Sequence, residues 1–191
     1  MFNNRTLGAL ALVAVTAFTP TAFAQQAAVP QTTAMLLQQT DADAAVALEA
    51  LYVKLPETRE LIAGAKGVLV LPDVRAGGAI LGTEYGHGVL CVAGEPNMYY
   101  NARTASVGAQ LGFESKSVIL VFLTQKALDR FRNSKGWTVG VDGSVAFLKT
   151  GKSGSFDTNT SRAAIVGFIE TKQGLMFDLS LKGARFTRAP V

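Results

Sequence analysis

Ala65 to Val92 reads AKGVLVLPDVRAGGAILGTEYGHGVLCV, and the fold turns on this stretch. The apolar run from Gly67 to Leu71 predicts a strand that stops at Pro72-Asp73. Five glycines then fall within twelve residues, at 77, 78, 82, 86 and 88. Between them stand residues that suit a strand: Ile80, Leu81, Thr83, Tyr85, Val89 and Leu90. Glycine inside a strand loses entropy and packing, so a strand studded with it marks bulges, tight bends or close backbone approach. A dinucleotide-binding loop needs glycine three residues after Gly88, where Cys91 stands, and a helix behind it. The glycines therefore imply sheet architecture and carry no nucleotide site.

Upstream, Thr33 to Ala63 is helical in pattern, with Leu37, Ala44, Ala45, Leu48, Leu51 and Tyr52 recurring at three- and four-residue steps. Pro56-Glu57 predicts a break and a second helix start, and Gly64 its end. Downstream the signal is β: strands are expected at 67–71, 78–85, 88–93, 98–102, 106–113, 117–123, 137–148, 163–171 and 175–181. Short hairpin turns are read at Glu114-Ser115-Lys116 and Lys172-Gln173-Gly174. A single helix interrupts the strands at Gln125 to Arg132, with Ala127, Leu128 and Phe131 on one face. The expectation is an α+β fold: N-terminal helices packed on a glycine-rich, mostly antiparallel curved sheet or barrel-like body with one inserted helix. Strands and helices do not alternate, which argues against a doubly wound parallel sheet.

The first 24 residues read as a secretory signal peptide: Arg5, an apolar core from Leu7 to Phe18, and the box Ala22-Phe23-Ala24. That core is 12 residues, short of the ~20 a spanning helix needs. Gln25 and Gln26 follow the box, so no lipid-anchored cysteine is expected there. Residues 25–32 are expected to be a flexible lead-in and 33–191 a single domain of an exported periplasmic protein, soluble after cleavage, with outer-membrane association as the alternative expectation. One cysteine, Cys91, allows no internal disulfide and reads as a small buried hydrophobe. Charge is uneven. Residues 25–100 carry four Lys/Arg against eight Asp/Glu, whereas residues 101–191 carry thirteen against six. A basic half of that size either favours anionic surfaces or is an ordinary solvated face.

Catalytic chemistry finds little to work with. The sole histidine, His87, and Cys91 are four apart, which on a strand separates them by roughly 13 Å. No G-x-S-x-G elbow occurs. Gly151-Lys152-Ser153 ends like a phosphate-binding loop, but the glycine required five residues earlier is Ala146. One His with one Cys makes no zinc site. The chain reads as non-catalytic and needs no cofactor or metal, which leaves binding. Lys149, Lys152, Lys172, Lys182 and Arg185 are the candidate cations, since such side chains reach lipid phosphates while their stems cover apolar surface. Trp137, beside Lys135, is read either as a headgroup-level aromatic or as a packing residue of the core.

The glycine stretch also carries a resemblance. Pro72-Asp73-Val74, Ala76-Gly77-Gly78 and Tyr85-Gly86-His87-Gly88-Val89-Leu90 are followed in order by Ser106 to Gly112, the apolar Val118 to Leu123, Gly140 to Ala146 with Gly151, and Gly174-Leu175 to Gly183. In combination these pieces, from Thr33 to Arg185, resemble the SYLF domain, the Ysc84-type lipid- and actin-binding domain. The resemblance implies a non-catalytic phospholipid-binding module of the bacterial envelope, phosphatidylinositol lipids being the eukaryotic ligands of such domains. For an exported protein it implies an anionic phospholipid or acyl chain at a membrane surface, with no nucleic acid. Actin is not a sensible partner there. The alternative is a periplasmic scaffold that binds another protein; an enzyme or small-ligand carrier is the third reading. Lipid docking in such domains is attributed to an amphipathic N-terminal helix, but here Asp41, Asp43 and Glu49 give that helix an acidic side, which shifts the expected contact to the C-terminal half.

Overall fold

The computed structural model describes residues 31–77, 81–107, 115–147, 163–171, 174–176 and 181–190. Helices α1 (Gln31–Lys54) and α2 (Thr58–Ala63) lead into β1 (Gly67–Gly77), β2 (Leu81–Cys91), β3 (Met98–Val107) and β4 (Ser115–Phe122). Helix α3 (Gln125–Asn133) follows, then β5 (Trp137–Thr138), β6 (Ala146–Phe147), β7 (Ile165–Thr171), β8 (Gly174–Met176) and β9 (Arg185–Arg188). The strands form one curled sheet in the order β5-β9-β3-β2-β1-β4-β7-β6, with β8 paired to β7. Every pairing is antiparallel except β6 with β7. The architecture is the α+β curved sheet that the sequence leads one to expect.

The continuous apolar runs have a direct cause: both faces of the central strands are covered. Leu69, Leu71, Leu90, Leu120 and Phe122 point to one side, where Leu128 and Phe131 of α3, Trp137 and Phe186 close the core. Their neighbours Val68, Val70, Val89, Ile119, Val121 and Phe168 point to the other, against Ala44, Ala47 and Leu51 of α1. A strand buried on both faces has no position left for polar alternation. Phe131 centres the first layer, with ring centroids of Tyr100, Phe122 and Trp137 at 4.8, 5.0 and 5.5 Å.

Pro72-Asp73 does not stop β1. The strand continues to Gly77 by way of bulges: Leu71 and Pro72 together oppose Gly88, because Val70 pairs with Val89 and Asp73 with His87. On the β4 side Pro72 and Asp73 together oppose Ser117, between the pairs Leu71–Val118 and Val74–Lys116. A bulge leaves a residue out of the ladder, which lets proline sit in a central strand. The glycines supply the room. A Cβ on Gly88 would stand 2.6 Å from the Val70 carbonyl oxygen, and one on Gly86 2.8 Å from Val74 Cγ2. Close approach, as expected, is their role.

Element boundaries differ in instructive places. The strands expected at 78–85 and 88–93 are one strand, β2, since glycine at 86 and 88 bends the strand without breaking the pairing to β3. Strands 98–102 and 106–113 likewise share β3 up to Val107. Residues 137–148 hold two short strands joined by a loop, in which Gly140 takes φ 85° and the Thr138 amide donates to Asp142 Oδ2 at 2.7 Å. That left-handed turn prevents a single long strand. Ser115 and Lys116 already belong to β4, while Thr171 and Gly174 pair across the β7–β8 hairpin where one was expected. Residues 78–80, 108–114, 148, 172–173 and 177–180 lie outside the described residues. Gly64 ends α2 in a right-handed conformation (φ −84°), with its amide donating to the Glu60 carbonyl.

Helix α1 sits differently from the simple amphipathic picture. Asp41 turns toward the sheet, accepting hydrogen bonds from the Tyr99 hydroxyl at 2.9 Å and Asn97 Nδ2 at 3.2 Å. Met35, Val46 and Val53 are left exposed instead. The small Ala44 and Ala47 bring the helix close to the sheet, and that rotation carries Asp41 inward.

Candidate functional site

A cleft of about 590 Å³ lies between α3 and the loop leading into β6. Its construction starts at Thr124, whose hydroxyl accepts from the Ala127 amide and caps α3. That cap fixes the helix so that Leu128 and Phe131 enter the core, while Lys126 and Arg130, one turn apart, stand exposed at the rim. Ala127, Trp137, Val145 and Ile165 give the wall its apolar character. Asp142 also reaches the cleft, but its carboxylate is engaged by the Thr138 amide at 2.7 Å. An apolar floor with two cations at its mouth suits an amphiphile with a negative head.

Of the two readings the sequence left open for Trp137, the structure shows the core residue. It is 1% exposed and packs on Phe131 and Phe186, so it is a core residue, and only an edge of its ring reaches the cleft. Lys182 and Arg185 are not among the residues lining this cleft. The Lys182 stem lies over Gly140, and the Arg185 guanidinium lies where a Cβ on Gly136 would be. Both side chains are exposed. Lys149, Lys152 and Lys172 lie outside the described residues. Lys126 and Arg130 were missed: in the sequence they look like the ordinary solvated face of a short helix, and only the loop folded opposite makes them a rim.

A second cleft of about 300 Å³ lies between the start of α1 and the β2–β3 pair, touching Leu36, Leu37, His87, Asn101 and Pro190. His87 is exposed there, with Nδ1 2.7 Å from Asn101 Oδ1 and Nε2 2.7 Å from the Tyr85 hydroxyl. As Asn101 Oδ1 only accepts, Nδ1 donates to it, and the Tyr85 hydroxyl is the hydrogen-bond partner of Nε2. Four residues along the same strand, Cys91 is out of bonding reach, as the spacing implied. It is partly rather than fully buried, and burial, followed by the charge of Asp41, pushes its thiol pKa up, away from a reactive thiolate. No group of three His, Cys, Asp or Glu among the described residues could hold a metal ion. No helix among them is long and apolar enough to cross a membrane.

These features define an α+β domain with a bulged, glycine-stitched sheet and, among the described residues, a cation-rimmed apolar cleft of the kind that binds ligands. Residues 103–190 match the family model Ysc84, described as a Las17-binding protein actin regulator, and this part of the chain is similar to that family. The match starts inside β3, so the glycine stretch of β1 and β2 lies before it. No curated protein matches the chain.

Proposed function

We propose that the protein binds an anionic phospholipid or its acyl chain in the cleft between α3 and the β6 loop, acting in the periplasm after removal of residues 1 to 24. The observation that carries this is the composition of the cleft, Lys126 and Arg130 over Ala127, Trp137, Val145 and Ile165. All of these residues fall within the segment 103–190 that matches the family. Phospholipid fits this chemistry better than actin, because a concave apolar wall of this size takes a chain rather than a flat protein face.

Trp137 is the sole tryptophan, so its emission reports on the cleft directly. Titration with phosphatidylglycerol vesicles should shift that emission and carry the protein upward in flotation, less so at high salt. Replacing both Lys126 and Arg130 by Gln removes about 1 kcal/mol each, so vesicle affinity should fall roughly 30-fold. Identical flotation with phosphatidylcholine and phosphatidylglycerol, and no change in the double variant, would refute the reading. Amino-terminal sequencing of the protein from an envelope fraction tests its location, with Gln25 the expected first residue.

A further inference from the structure

On the opposite side of the sheet from the Trp137 cleft, pairing places one row of side chains across four strands: Arg75 opposite Tyr85, Tyr85 opposite Arg103, and Arg103 opposite Arg185. Directly paired residues face the same side, so this row projects together, and all four residues are exposed. Helix α1 packs its Ala44, Ala47 and Leu51 over Val68, Val70 and Val89, toward the other end of these strands. Arg75 is neutralised by Asp73, Nε to Oδ2 2.6 Å. Neither Arg103 nor Arg185 has a carboxylate partner among the described residues.

Two like charges directly opposite on antiparallel strands cost stability, by a few tenths to about 1 kcal/mol. The side chains relieve this by leaning apart. The Arg103 guanidinium turns toward the Tyr85 ring, 5.7 Å from its centroid, and Arg185 turns the other way onto Gly136, whose missing Cβ leaves it room. Each guanidinium presents planar N–H donors, and when the two turn toward each other the position between them suits an anion with several oxygens. The next row runs from Asp73 opposite His87, through Asn101, to Thr187; its one carboxylate, Asp73, stands two strands away from Arg103 and is paired with Arg75.

We propose that Arg103 and Arg185 form a binding site for a phosphate monoester or pyrophosphate group, separate from the Trp137 cleft. An oxyanion bridging the pair converts the repulsion into two charge-assisted contacts, and the guanidinia swing toward each other to make them. The same chemistry is offered by a free phosphate compound and by a monoester headgroup such as that of phosphatidic acid.

The test uses the mature chain with pyrophosphate as soluble probe, and phosphatidylcholine vesicles with and without phosphatidic acid. Binding is read by calorimetry and by the arginine side-chain Nε–H signals in NMR. With wild type, pyrophosphate should perturb the Arg103 and Arg185 signals, and Arg103→Gln or Arg185→Gln should weaken binding about tenfold each. Without any anion, Arg103→Gln should melt slightly above wild type, since it removes the repulsion. Vesicle binding that falls in parallel identifies a headgroup; loss confined to pyrophosphate identifies a soluble ligand. Wild type and the double Gln variant binding pyrophosphate within twofold of one another, or no binding at about 10 mM, overturns the proposal. Because Lys126→Gln/Arg130→Gln leaves this site intact, it should keep pyrophosphate binding, which separates failure here from failure of the cleft reading.

Discussion

Gly88→Ala tests the bulge on which the sheet depends. The added methyl would lie 2.6 Å from the Val70 carbonyl oxygen and 2.7 Å from Leu71 Cγ. The first neighbour is backbone of a central strand paired on both sides, so it cannot yield as a side-chain tip would. Overpacking of a core costs about 1–3 kcal/mol, and a contact with fixed backbone belongs at the top of that range. For a domain of this size about 3 kcal/mol corresponds to a loss of roughly 6 to 12 °C in Tm. Gly64→Ala is the control. Gly64 is right-handed at φ −84° with its nearest neighbour 3.6 Å away, so alanine should stabilise by about 0.4–1 kcal/mol through the unfolded chain. Differential scanning calorimetry of both variants beside wild type decides the matter. If Gly88→Ala melts no lower than Gly64→Ala, glycine is not required for close approach, and the account of the bulge fails.

Two further outcomes follow from buried polar groups. Lys116 Nζ and Glu84 Oε1 are 2.7 Å apart with both side chains 8% exposed, so Lys116→Met strands a buried carboxylate and should cost about 3–5 kcal/mol in urea unfolding, whereas Lys116→Met with Glu84→Met should lie near wild type. Equal losses in the single and double variants would show that the pair is not coupled. Tyr99 has its pKa pushed up to about 12, first by burial and then by its hydrogen bond to Asp41. Because the folded value lies above the unfolded value near 10, the stability this tyrosine contributes is complete below pH 10 and is lost between pH 10 and about 12. Burial also raises Tyr52 and Tyr100, so absorbance titration should find several late-ionising tyrosines, of which Asp41→Asn should bring Tyr99 earlier; an unchanged titration in that variant would remove Asp41 as a cause.

The sequence alone determined the fold class and the manner of its construction. Continuous runs such as Gly67 to Leu71 and Val118 to Leu123 require strands covered on both sides, and the glycine spacing requires backbones in close approach; both are local properties of the chain. Pro72 misled because a proline reads as a stop when the partner strands that form a bulge around it are unknown. The site was decided only by tertiary structure. Lys126 and Arg130 become a rim because a loop some fifteen residues later, turned by Gly140, folds opposite them. Arg103 and Arg185, 82 positions apart, become neighbours only through the β3–β9 pairing. Periodicity records which face of an element is buried. Contacts between elements distant in the chain leave no such trace, and binding sites are made of those contacts.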